Sequence, residues 1–279
     1  MELPWTEHFI RHGFAVRKGL VDRDYCAEAL ARVKTIVGND RPLREWSTDN
    51  TPVLHRPFFQ GATQADPVLE KIYGQSRLLA AIEELFGGTG HWDGERNYYL
   101  FVKPYNPAAS ATLTPRGHID FPGQEVPILY RGFTWQVALS DTEPFSGNLT
   151  VHPGTHRVIQ RALMADPSLQ LPKGTSDLPM TDPFEFVAGA GDVLFMHHLV
   201  FHSGNESHST GRLPRVALHG EAFRKKWLAR IDPSRPSLSP WEQSLALNGP
   251  HATQTDVEHE NMKKRRAYVD DLRLKEAKT

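Results

Sequence analysis

Two hydrophobic periods divide the chain, helical in the first ninety residues and extended after Tyr98. Asp22 precedes Cys26, Leu30, Val33 and Val37, which fall three or four apart, and Gly38 follows as a stop. Asp66-Pro67 places a cap and a first-turn proline before Val68, Leu69 and Ile72. Ser76 then opens Leu78, Leu79, Ile82, Leu85 and Phe86, closed by Gly87-Gly88. The polar, proline-bearing stretch 39–65 predicts an irregular loop. From Tyr98 short β-prone runs succeed one another: Tyr98–Lys103, Gly117–Phe121, Phe133–Ser140, Asn148–Val151, Phe184–Ala188, Asp192–Phe201 and Arg215–Phe223. Turns such as Ser146-Gly147-Asn148 and Pro153-Gly154 separate them. Helices followed by many short strands predict a mainly β fold with flanking helices (α+β), a helix-backed sandwich or jelly roll and not a βαβ sheet.

The remaining segments extend this picture. Residues 159–182 lack a strand pattern and are expected to form an insertion, with a lid as its function. Residues 232–240 form a proline-stiffened connector to a polar tail, whose Val257 to Lys275 predicts a weakly amphipathic helix through Tyr268, Val269 and Leu272. No repeat is visible. The expectation is one domain over 1–279, with a helical part at 1–95, a β core at 96–225 and a C-terminal extension at 226–279.

Composition narrows the function classes. Across 279 residues, 32 Lys and Arg stand against 33 Asp and Glu, a net charge of −1 that argues against a nucleic-acid or anionic-membrane partner. The basic run Lys263-Lys264-Arg265-Arg266 is flanked by Glu258, Glu260, Asp270 and Asp271 and predicts a solvated helix face. Cys26 is the one cysteine, which excludes an internal disulfide and fits a reducing compartment. Its place on an apolar stripe predicts a core residue. The opening MELPWTEHF has no leader pattern and no apolar run reaches membrane length, so a cytoplasmic protein without membrane contact is expected. Gly87-Gly88-Thr89-Gly90 lacks the ending of a phosphate loop, and no nucleophile elbow or dinucleotide fingerprint occurs.

Fourteen histidines turn attention to metal chemistry. In His118-Ile119-Asp120, side chains two apart on an extended strand point the same way, so both can grip one ion. A third ligand is offered by the run Asp192–His202, where His197, His198 and His202 compete and His208 lies just beyond. Alternation puts His198 on the face of His202. Two histidines and a carboxylate form the facial triad of non-haem Fe(II) oxygenases, which leaves three adjacent positions open for a 2-oxo acid and O2. Such a co-substrate's distal carboxylate needs a bidentate cation. Arg215, opening the next strand, fits that role, with Arg212 in the preceding turn as its competitor. His152 and His156 flank a Pro-Gly turn and are expected to be structural.

These motifs stand in a familiar order. Phe9-Ile10-Arg11-His12-Gly13-Phe14-Ala15-Val16, Phe101-Val102-Lys103-Pro104 and His118-Ile119-Asp120 are followed by Asn148 to His156, Gly191-Asp192-Val193-Leu194-Phe195, His202-Ser203-Gly204-Asn205 and Arg215. Over residues 9–223 the chain resembles the phytanoyl-CoA dioxygenase family of Fe(II)/2-oxoglutarate-dependent oxygenases. The resemblance implies a double-stranded β-helix (jelly-roll, cupin-like) core and oxidation of an unactivated C–H bond, with hydroxylation as the expected outcome. It implies His118, Asp120 and His202 as iron ligands, Arg215 as the clamp on 2-oxoglutarate, and Tyr99 and Trp135 as further co-substrate contacts. The Ser-Gly-Asn turn after His202 and the length of the 202–215 stretch depart from the usual pattern. A carboxylate at Asp120, where related halogenases carry a small residue, favours hydroxylation, desaturation or ring formation over halogenation. The expected partner is a small-molecule metabolite, with natural-product biosynthesis among the family's settings, acted on by a monomer or homodimer. The rival readings are a cupin-type hydrolase or isomerase using another metal, a desaturating or cyclising oxygenase, and a binding or scaffold protein of the same fold without chemistry.

Overall fold

The computed structural model describes residues 3–58, 66–94, 98–109, 117–120, 132–166, 180–225 and 237–245. The predicted tail helix and most of the predicted insertion lie outside these residues. Six α-helices and nine strands occur among them in chain order. They are α1 (Trp5–His12), β1 (Phe14–Arg17), α2 (Arg23–Val37), β2 (Leu54–Phe58), α3 (Pro67–Tyr73), α4 (Ser76–Phe86), β3 (Tyr98–Lys103) and β4 (Gly132–Ala138), then β5 (Leu149–Val151), α5 (Thr155–Ala165), β6 (Phe184–Glu185), β7 (Val193–His197), β8 (His202–Gly204), β9 (Arg215–Phe223) and α6 (Pro240–Ser244). No helix among the described residues is long and apolar enough to cross a membrane.

The predicted helix ends behave as their chemistry requires, with one exchange of roles. Gly38 and Gly87 close α2 and α4 at φ 69° and 87°, left-handed values that glycine adopts without a Cβ clash. The Asp66 carboxylate accepts from the Val68 and Leu69 amides at 3.1 and 3.2 Å, and Pro67 fills the first turn. Asp22 precedes α2 without capping it. Its carboxylate is taken by Arg77 of α4 instead.

The strands form an antiparallel sheet of order β1-β7-β4-β9-β3-β2 and a smaller one of order β6-β5-β8. Between the two lies a compact apolar layer in which Phe14, Ala138, Leu194 and Met196 face Leu149, Val151 and Phe186. The other face of the larger sheet packs Phe133, Trp135, Val137 and Phe195 against Phe9, Tyr73 and Phe86 of the helices. Cys26 is buried in that helical layer, as its stripe predicts. The architecture is the mainly β jelly roll with flanking helices that the pattern implies.

Several boundaries differ from expectation. The nominal loop 39–65 contains β2, which pairs with β3 along the full register Leu54↔Val102 to Phe58↔Tyr98. β1, too short to show alternation, caps the opposite edge by pairing with β7. The expected strand at 117–121 reduces, within its described part, to one bridge, His118 with His202. The run Asp192–Phe201 does not continue to His202. Its chain turns after His197, with the Val200 amide bonded to the His197 carbonyl, and passes from the larger sheet to the smaller. Uninterrupted burial hides such a crossing, because both sheets make the same hydrophobic demand. Helix α5 occupies the start of the expected insertion.

Candidate metal centre

The site begins with a close backbone approach. His118 and His202 exchange backbone hydrogen bonds of 2.8 and 2.9 Å, which sets their rings side by side with centroids 4.5 Å apart. A Cβ on Gly117 would stand 2.5 Å from the His202 carbonyl oxygen, so this approach requires glycine. Asp120 reaches the same space: its Oδ1 lies 3.1 Å from His202 Nε2 and 4.0 Å from His118 Nε2. Ligand atoms of all three residues lie within 4.8 Å of one another, and no other group of this kind occurs among the described residues. Adjacent ligands held about 2.1 Å from one ion stand roughly 3 Å apart, so the Asp120–His202 spacing fits a shared cation.

Neighbouring groups orient and charge these atoms. The His202 Nδ1–H donates to the Val200 carbonyl at 2.9 Å, which orients the ring and aims Nε2 at Asp120. Asp120 Oδ2 is buried without a hydrogen-bond partner among the described residues, an acceptor a cation would satisfy. Burial alone would depress the His202 imidazole, but the Asp120 carboxylate and its hydrogen bond reverse this and raise its pKa. Burial likewise opposes charge on Asp120, and the His202, His219 and His198 rings outweigh it, holding the carboxyl well below its usual range. A cation entering the site would supply the charge compensation that the buried Asp120 carboxylate requires.

His197, His198 and His208 are not in the cluster. The turn after His197 breaks the alternation that would have aligned His198 with His202. His197 is buried with Nδ1 accepting from the Leu199 amide at 3.0 Å, and the His198 ring lies 5.6 Å from that of Phe223. His152 Nδ1 is bonded to the Thr181 carbonyl, in keeping with a structural role.

Across from the triad, alternation on β9 sorts the larger sheet into two faces. The register Lys103↔Arg215, Phe101↔Ala217, Tyr99↔His219 and Gln136↔His219 puts Arg215, His219, Tyr99, Phe101 and Gln136 on one face. This face carries the site, since His219 and Tyr99 both feel the Asp120 charge. Burial, with Glu221 and Asp120 nearby, raises the Tyr99 phenol, and burial lowers His219 to about 4. Trp135 is on the other face. It is fully buried, edge-on to Tyr73 at 4.8 Å and against Gly220, so its expected co-substrate contact is corrected: a single-residue offset points it into the helical layer. Gln136 takes the site-facing position. Gln136 and His219 were missed, although the β4 and β9 alternation around Arg215 carried the signal.

The two candidate arginines separate sharply. Arg212, at φ 58° in the turn, is exposed with its guanidinium 4.8 Å from the Tyr105 ring. Arg215 is only 4% exposed, lies over Phe101 at 5.5 Å and has no hydrogen-bond partner for Nε or Nη1 among the described residues. Burial lowers its pKa to about 10, which leaves it charged at neutral pH. A buried cation of this kind is costly unless an anion joins it.

No family model matches the chain, and no curated protein matches it. Solved structures do. The epimerase SnoN, in complex with Fe3+, alpha ketoglutarate and nogalamycin RO, is similar at 18% identity and TM-score 0.52, over 90% of this chain and 94% of its own. EvdO2 from Micromonospora carbonacea var. aurantiaca, complexed with 2-oxoglutarate, is similar at 16% identity and TM-score 0.56, over 86% and 96%. HygX from Streptomyces hygroscopicus, with nickel and 2-oxoglutarate bound, follows at 14% identity and TM-score 0.50, over 82% and 88%. At these identities the likeness establishes a shared fold.

Proposed function

We propose that the chain is an Fe(II)- and 2-oxoglutarate-dependent dioxygenase that hydroxylates an unactivated C–H bond of a small-molecule metabolite. Arg215 carries this reading: a buried guanidinium with open donors, on the sheet face opposite a His-Asp-His cluster. A hydrolase or isomerase with the same three ligands but no 2-oxo acid would need a different anion to neutralise that charge. The likeness to SnoN, EvdO2 and HygX, whose structures hold 2-oxoglutarate, supports the same reading.

His118, Asp120 and His202 would hold the iron, which with 2-oxoglutarate and O2 supplies the oxidising power and releases succinate and CO2. Arg215 binds the distal carboxylate of 2-oxoglutarate in a fixed fork, so the co-substrate's other end is directed at the triad. Phe101 closes one side of that guanidinium and keeps water from it. Tyr99, Gln136 and His219 line the same face and present phenol, amide and neutral imidazole to whatever lies between the sheets. The sandwiched apolar layer behind them withholds solvent. Natural-product biosynthesis, the setting of SnoN by its description, is the proposed context.

The test is O2-dependent succinate formation from Fe(II) and 2-oxoglutarate, screened against metabolite pools by mass spectrometry. The expected product is one oxygen atom heavier than its substrate. A product of unchanged mass would replace hydroxylation by epimerisation, and one two hydrogens lighter would replace it by desaturation or cyclisation. No succinate from an iron-loaded chain would remove the oxygenase reading.

A further inference from the structure

Thr155 is the first residue of α5, following Gly154 at the cap position. Its Oγ1 accepts from the Phe201 amide at 2.9 Å and donates to the His152 carbonyl at 2.7 Å. The His152 amide in turn donates to the Phe201 carbonyl at 2.9 Å, so both polar backbone groups of Phe201 are held by the 152–155 turn. Thr155 is 1% exposed and Phe201 3%, so water does not replace these bonds.

Phe201 connects the two histidines of the cluster. On its N-terminal side, the Val200 carbonyl receives the His202 Nδ1–H and sets that ring's direction. Its own ring abuts Gly117, where an added Cβ would come within 2.7 Å of Cε1, and Gly117 leads into His118. The His152 ring closes against the Phe201 ring edge-on at 5.4 Å. Displacing the Phe201 backbone therefore moves the Val200 acceptor and the support of Gly117 together.

We infer that Thr155 is a positioning residue of the metal centre, its hydroxyl fixing Phe201 and through it the rings of His118 and His202. The inference rests on the proposed role of those two histidines as ligands. The nearly isosteric Thr155→Val leaves the buried Phe201 amide without an acceptor, whereas Thr155→Ser keeps it. Outer-sphere partners of metal ligands typically control roughly 10–100-fold in affinity.

The experiment is anaerobic titration of the full chain with Co(II) alone, followed by the visible ligand-field spectrum, at a temperature where circular dichroism shows each variant folded. Thr155→Val should bind Co(II) roughly 10–100-fold more weakly with a shifted spectrum, and Thr155→Ser should stay within about threefold of the parent. Parent-like affinity and spectrum in folded Thr155→Val would overturn the inference. So would equal losses in the Ser and Val variants, since the hydroxyl would then be irrelevant. If Val prevents folding, Thr155→Ala against Thr155→Ser gives the same comparison. If neither substitution folds, amide exchange at Phe201 in the parent decides: Co(II) should slow it, and an unchanged rate counts against the inference. Failure of the parent itself to bind Co(II) would instead strike the proposed ligand set.

Discussion

At the scale of single residues, Asp120 and Arg215 make separable demands. Asp120→Ala should abolish tight metal binding, while Arg215→Met should leave metal affinity unchanged. By analogy with other truncated buried charge pairs, Arg215→Met should weaken 2-oxoglutarate binding by about 2–5 kcal/mol. Calorimetric titration of metal and co-substrate in turn checks both. Two histidines away from the triad make a different prediction. Burial lowers His156 to about 3 and His197 well below its ordinary value, so both are neutral when folded but titrate near 6.5 when unfolded. The unfolded chain thus binds more protons below pH 6.5. Stability is full above that value and falls as pH drops, by up to about 1.4 kcal/mol per pH unit for each group. Urea midpoints at pH 7.5, 6 and 5 should show this decline, and His156→Gln should flatten it. His118, Asp120 and Arg215 were legible as residues because their types are scarce and their spacing is chemical. Trp135 was misread because the pattern of β4 gives no face: every position of that strand is buried.

Among elements, those with local chemical punctuation were the readable ones. α2, α3 and α4 carry glycine, proline and aspartate at their ends, and β3 and β9 match their expected bounds. β1 and β2 were not readable, since strands of four and five residues at sheet edges are created by the partners they pair with. The break between β7 and β8 was hidden for a related reason, although it decides which histidine reaches Asp120. Substitutions at two positions test the elements. Asp66→Ala removes the cap of α3 and the 2.6 Å contact with Arg32, and should cost about 1–2 kcal/mol in thermal unfolding. Asp66→Asn should retain most of the cap. Gly117→Ala should part the His118–His202 bridge and weaken metal binding more than it lowers the melting temperature, because it strikes one bridge outside the main sheet.

For the whole molecule, the two-layer plan explains how one cluster is assembled from distant segments. The larger sheet presents Arg215, Tyr99, His219 and Gln136, and the smaller sheet presents His202, which draws in His118 and Asp120 by a backbone bridge. The helices on the far face give the larger sheet a rigid backing. The jelly roll was legible from the switch of hydrophobic period, and the convergence of His118, Asp120 and His202 from their types and spacing. Which faces meet was not, because that depends on register. The proposed pairing of a metal triad with an anion-binding arginine is tested most directly by anaerobic addition of Fe(II) and 2-oxoglutarate, read by visible absorption. A metal-to-ligand charge-transfer band is expected that needs both components, shrinks in Arg215→Met at the same co-substrate concentration and bleaches on admitting O2. Fully loaded iron with no such band at saturating 2-oxoglutarate would contradict it.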